Sequence, residues 1–281
     1  MSGAPIPLRP DDDLPVGSAI EPTSVTAELE AVGPAIRRDV PLSAIPRWLR
    51  AGWKDFRLAP LPSLAVGAVC TVVSWVLVGA MVATDYAALI LPLTAGFMFA
   101  APVLAVGLYE GSRRHAAHEA VTLDSTRAAL RRNPTQIAFM GAILMLFLYG
   151  WLRVATLLFA LFFGLDLPPL GRFLSTAFLS PDSIGFVLTG TGVGLVMAAI
   201  VFGLSAISLP MLVDRRVDAI TAAITSMRAC TANPITMGVW AATIVVLTLA
   251  AAAPGFLGFV VVLPLVGHAT WHAYRDLVEP G

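Results

Sequence analysis

Residues 61–84 read LPSLAVGAVCTVVSWVLVGAMVAT, a run with no charged side chain whose polar groups are mostly Ser and Thr hydroxyls. As a helix rising about 1.5 Å per residue, it covers the roughly 30 Å of a bilayer core with a turn to spare. Outward from it, apolar stretches recur at 87–109, 136–164, 184–213 and 236–273. The last is too long for one straight crossing, and Ala253-Pro254-Gly255 lies near its middle. Proline cannot continue a helix, and glycine favours the turn that follows. The pattern predicts six spans, at about 61–84, 87–109, 136–160, 184–211, 235–253 and 256–274. One kinked helix with a cytoplasmic extension is the alternative for the last two.

Composition points the same way. Hydrophobic residues make up 57% of the 281 and charged residues 13%, where soluble domains carry about a quarter charged. Mean hydropathy is +0.81. Eighteen basic residues balance eighteen acidic ones, so no global field attracts nucleic acid. Cys70 and Cys230 lie far apart in unlike surroundings and suggest no disulfide framework. A soluble enzyme, a disordered regulator and a secreted disulfide scaffold are excluded. The chain reads as an all-α integral membrane protein. Its Pro-rich start carries Asp11, Asp12 and Asp13 without apolar periodicity, which predicts a disordered cytoplasmic tail over 1–40 ahead of a membrane domain over 41–278. The tail lacks the basic start and apolar core of a signal peptide.

Sixteen of the eighteen basic residues fall before the first predicted span, between spans two and three, between spans four and five, or after span six. The opposite loops hold Asp85, Asp166, Asp182 and a single cation, Arg172. Because Lys/Arg-rich short loops stay inside, both termini are expected in the cytoplasm.

Three junctions share one local grammar: Ala59-Pro60, Asn133-Pro134 and Asn233-Pro234 each stand where an amphipathic segment meets a span. The residue before a proline is pushed out of helical geometry, so each junction predicts a corner. Ahead of the first, Ile45, Leu49, Trp53 and Phe56 form an apolar stripe and Arg47, Arg50, Lys54 and Arg57 a basic one. Ahead of the third, Val217, Ile220, Ile224 and Met227 form a stripe at i, i+3, i+7 and i+10. The middle copy, 121–132, is about a turn shorter and ends in Arg131-Arg132. The picture is an internal repeat of three hairpins, each preceded by a short cytoplasmic interfacial helix whose basic residues meet anionic headgroups of the lipid bilayer.

The stretches Arg47-Trp48-Leu49-Arg50-Ala51-Gly52-Trp53, Arg131-Arg132-Asn133-Pro134, Ser208-Leu209-Pro210-Met211 and Gly267-His268-Ala269-Thr270-Trp271-His272-Ala273-Tyr274-Arg275-Asp276-Leu277 carry a resemblance over about 40–278. The chain resembles an uncharacterised family of bacterial polytopic inner-membrane proteins, a domain of unknown function, some members of which are labelled as a cytochrome c oxidase subunit. The resemblance implies the bacterial inner membrane and brings no mechanism. Too few spans and histidines are present for the catalytic subunit of a haem–copper oxidase. An accessory or assembly role beside a membrane-protein complex is what the label leaves.

Four histidines lie at the cytoplasmic ends of spans. His115 and His118 follow span two, while His268 and His272 close span six at i, i+4 on one helical face. Were spans two and six neighbours, the four imidazoles would converge into a metal or haem site. The plainer reading is two interfacial pairs bonded to headgroups, water or linkers, and no cofactor is expected. Arg153 is the only cation inside a span. It either snorkels to the outer headgroups, with Asp166 as a structural partner, or lines a pathway. Glu110 and Asp214 read as helix-end partners of Arg113-Arg114 and Arg215-Arg216. Pro92, Pro102, Pro210 and Pro264 lie in or near spans, as ordinary kinks or as breaks around a cavity. No nucleophile elbow, Walker loop, zinc-protease motif or carboxylate pair appears. The chain therefore reads as non-catalytic, first as an accessory or assembly factor, second as a small-molecule or lipid transporter using Arg153, third as a haem or metal binder.

Overall fold

The computed structural model describes residues 33–84, 86, 89–164 and 183–280. The expected tail as far as residue 32 and the outer-loop residues Asp85, Asp166, Arg172 and Asp182 lie outside them. The described chain is helical: α1 (Ala44–Leu58), α2 (Pro60–Ala83), α3 (Ile90–Leu104), α4 (Val106–Ala116), α5 (Leu123–Ala128), α6 (Pro134–Phe163), α7 (Ser183–Ser205), α8 (Ser208–Asp214), α9 (Ala219–Ala232), α10 (Pro234–Ala252) and α11 (Phe259–Leu277).

The three proline corners have nearly the same backbone. Ala59, Asn133 and Asn233 sit at φ −133°, −147° and −132° with ψ 67°, 65° and 54°. In each case the proline opens the next helix, where its missing N–H costs nothing. The chain also breaks at 253–258, so two helices replace a single kinked one. Gly255 takes φ +66° there, open to a residue without a Cβ.

Among the described residues five segments are long and apolar enough to cross a membrane: Pro60–Ala83, Ile90–Ala116, Pro134–Phe163, Ser183–Asp214 and Pro234–Ala252. The expected sixth is α11, which does not qualify on composition. Its first half, FVVVLPLV, is apolar, but His268, His272, Arg275 and Asp276 load the second.

Neighbours in the chain are not always neighbours in space. α2 packs chiefly on α11, and α3 on α6, while α2 and α3 barely meet. Small residues set these pairings. A Cβ on Gly67 would run into the Val260 backbone of α11, and one on Gly96 would strike Leu148 and Trp151 of α6. The expected first hairpin is thus splayed. α11 is the common partner of α1, α2 and α4, whereas α10 leans chiefly on α11 and α9.

The expected tail boundary at 40 also moves. Ile36 pairs antiparallel with Val278, with Arg37 N–H donating to Leu277 O at 2.9 Å and Glu279 N–H to Ala35 O at 3.0 Å. Asn233 accepts from Val40 N–H at 2.9 Å and donates to Arg37 O at 2.9 Å. Residues 35–40 are ordered against the other end of the described chain.

Candidate functional site

α1 buries most of its apolar stripe, with the contact face rotated towards Trp48 and Asp55 so that Trp53 is left out. Ala44, Ile45, Trp48, Gly52, Asp55 and Phe56 are buried, while Trp53 stays 40% exposed and stacks on Phe56. Contact with α11 is so close that a Cβ on Gly52 would lie 2.6 Å from Ala269 N. α9 buries Ala219, Ala222, Thr225, Ser226 and Ala229 and leaves Ile220 63% exposed. In α9 small side chains make the helix contacts, whereas α1 buries Ile45, Trp48 and Phe56 beside its small residues.

That arrangement buries a carboxylate, Asp55, against α4 and α11. His272 Nε2 is 2.8 Å from Asp55 Oδ2, and His115 Nδ1 is 3.5 Å from Oδ1. His268, buried, is held from both sides: Ser63 Oγ lies 3.0 Å from Nε2 and Ser112 Oγ 2.8 Å from Nδ1. Burial raises the Asp55 carboxyl, but hydrogen bonds with His272 and Ser112, then the charges of His272 and His268, carry it below the ordinary carboxylate range. His118 does not join. It takes φ +57° just beyond α4 and is exposed. His115 and His272 thus meet at one carboxylate, and hydroxyls hold His268 beside them. Among the described residues no group of three or more His, Cys, Asp or Glu is arranged to hold a metal ion.

Alongside runs a layer of ion pairs. Glu110, buried, accepts from Arg113 Nε at 2.8 Å, Arg113 Nη2 at 2.9 Å and Arg114 Nε at 3.0 Å. Asp214 accepts from Tyr274 Oη at 2.7 Å and Arg275 Nη1 at 3.2 Å. Asp276 accepts from Arg37, Arg47 and Trp48 Nε1. Arg47 is thus part of an ion pair as well as exposed, while Arg50, Lys54 and Arg57 stay on the exposed face of α1. Arg132 donates to Val213 O at 2.8 Å.

Because α10 stands off from α3 and α7, a cavity of about 770 Å³ opens among the span-length helices. Phe97, Pro102, Phe202, Met237 and Trp240 are among its wall residues. Ser205, Thr231 and Thr270 also face it, each donating to the carbonyl one turn back on its own helix, Val201, Met227 and Val266. Those hydroxyls are satisfied and the wall is mainly apolar, although the Trp240 Nε1–H is buried without a partner. The cavity volume lies within the roughly 300–1,000 Å³ of ligand pockets.

Arg153 is not on that wall. It is exposed on α6, its Nε donating to Tyr149 Oη at 2.8 Å. Of the two readings of Arg153, the exposed position beside Tyr149 agrees with snorkelling, and this cavity does not reach it. Of the four prolines, Pro102 alone lines the cavity, next to the break between α3 and α4 at Ala105.

Asp55, Ser63 and Ser112 were missed in the sequence. Asp55 carries a readable signal, lying seven residues after Trp48 and therefore on the same helical face. Ser63 and Ser112 look like any other hydroxyl in an apolar run. The cavity has no sequence signal, because it is a gap between helices that are distant in the chain.

No curated protein and no solved structure matches this chain. Residues 90–214, which run from α3 through α8 and include Glu110, Ser112, His115 and Asp214, match a family of unknown function described as "Predicted integral membrane protein (DUF2189)".

Proposed function

We propose that this chain is a non-catalytic inner-membrane protein that crosses the bilayer six times, keeps both ends in the cytoplasm, and accommodates an apolar chain, such as a lipid acyl chain, in the cavity beside α10. The cavity carries the reading: it is of ligand size, walled by apolar side chains, and set among helices long enough to span. An ordered hydrocarbon is the occupant such a wall favours, since a polar group there would find few hydrogen-bond partners. The Ile36–Val278 pairing supports the topology. Two segments bonded to each other lie on one side of a membrane, so the helices between them cross an even number of times. The near-identical corners support the internal repeat.

An accessory role in a membrane complex rests on the resemblance and gains nothing from the geometry of the site. The transport reading survives in a narrower form, with hydrocarbon contacts in place of Arg153.

The test uses Gly238, which lines the cavity and whose Cβ would meet nothing within 4 Å. Gly238→Trp fills space without a backbone clash. Native mass spectrometry of protein purified in mild detergent is expected to show retained lipid on the parent and markedly less on the variant. Equal retention by a folded Gly238→Trp protein defeats the reading.

A further inference from the structure

Two arginine dipeptides, Arg131-Arg132 before the second corner and Arg215-Arg216 after α8, are brought together by hydrogen bonds between their loops. Arg132 Nε donates to Val213 O at 2.8 Å, Asn133 Nδ2 to Val217 O at 2.9 Å, and Ala219 N–H to Gln136 Oε1 at 2.9 Å. Between them lies a cleft of about 180 Å³ lined by all four arginines and Asp214. Holding four guanidiniums around one small cleft costs repulsion energy unless negative charge offsets it.

The acids on hand are already engaged. Asp214 is taken by Tyr274 and Arg275 and lies 3.9 Å from Arg215 Nε, and Glu110, 3.6 Å from Arg132, is taken by Arg113 and Arg114. Arg215 donates to Tyr274 Oη at 3.0 Å and to Glu279 O. Arg131 and Arg216 remain exposed, with no acidic partner among the described residues. A planar guanidinium fork matches the oxygens of a phosphate group in pairs. The volume corresponds to several waters at roughly 30 Å³ each, which leaves room for one such group.

We propose that this cleft is a binding site for a phosphate group, with Arg131 and Arg216 as its direct ligands and Arg132 and Arg215 as the fixed positive wall behind them. The phosphate belongs to a phospholipid headgroup or to a free anion; the chemistry is shared. The site does not depend on the cavity reading.

The experiment compares the parent protein, Arg131→Ala/Arg216→Ala, and Arg127→Ala, an exposed arginine paired only loosely with Asp124 at 3.9 Å. Each is purified in a neutral detergent. Inorganic phosphate is titrated calorimetrically at constant ionic strength, and retention of phosphatidylglycerol over phosphatidylcholine is read by native mass spectrometry. Loss of a charge-assisted bond weakens affinity about tenfold, so the double variant should bind roughly a hundredfold more weakly, with Arg127→Ala unchanged. Phosphate binding without lipid preference identifies a free anion; lipid preference without phosphate binding identifies a headgroup. Both results together support a site open to either. If neither probe separates the parent from the double variant, or Arg127→Ala falls equally, the proposal is overturned.

Discussion

Asp55 Oδ2 and His272 Nε2 stand 2.8 Å apart, fastening α1 to α11 across 217 residues of sequence. Asp55 is also the carboxylate nearest His115, so one acid anchors three elements. Replacing it with Ala strips partners from buried groups. The expected loss is about 3 kcal/mol, read by thermal or chemical unfolding in detergent. The pH dependence has a definite sign. Because the folded carboxyl lies below its ordinary 3.8, its stabilisation is complete above that value and disappears as pH falls through the lower folded one. Parent and Asp55→Ala should therefore converge in strong acid, and a constant gap down to pH 2 would exclude the carboxylate as the cause.

Gly67 and Gly79 lie on the same helix with opposite surroundings. A side chain on Gly67 meets the Val260 backbone, and one on Gly79 meets nothing within 4 Å. Gly67→Val is expected to force α2 off α11 at a cost of about 2 kcal/mol or more, with Gly79→Val close to neutral. Unfolding midpoints of the two variants check this, and equal midpoints contradict the pairing of α2 with α11.

Asn233 holds residues 37–40 through Val40 N–H and Arg37 O, and Thr236 Oγ1 donates to Val40 O at 2.6 Å. Asn233→Ala leaves those backbone groups unpaired. Amide exchange at Val40 should accelerate strongly while the middle of α6 stays protected, with about 2 kcal/mol lost overall. Unchanged exchange at Val40 counts against the tether.

Topology is tested with Ser43→Cys and Glu279→Cys, both at exposed positions. A membrane-impermeant thiol reagent should modify both only after the inner membrane is opened. The native thiols stay silent: Cys70 is buried, and burial pushes Cys230 up to about 12. Labelling of one introduced cysteine in intact cells, and not the other, rules out an even number of crossings.

Local rules made much of the fold readable. Each proline corner follows from two adjacent residues, and each apolar run from its length, so Pro60, Pro134 and Pro234 start helices where the chain said they would. The break after Ala252 follows from Pro254 and Gly255 in the same way. What failed was long-range. The stripe Ile45, Leu49, Trp53 and Phe56 is amphipathic, but periodicity says only that faces differ, not which one meets protein and which meets lipid. Trp48 and Asp55 join Ile45 and Phe56 on the protein side, and Trp53 is left out, because Gly52 lets α1 approach Ala269. Arg153 looked functional from its depth in an apolar run, yet Tyr149 one turn away supplies a local partner. His118 was grouped with His115 by spacing, and a left-handed residue at the helix end turns it aside.

α11 is the last described helix to leave the ribosome, and it is the main neighbour of α1, α2 and α4. During synthesis α2 therefore enters the bilayer long before the surface that Gly67 is shaped to receive. Until then its flank is open to lipid, to insertion machinery or to a wrong helix. Once α11 is made, its final turn can pair with the segment around Ile36 and close a clasp over the helices made before it.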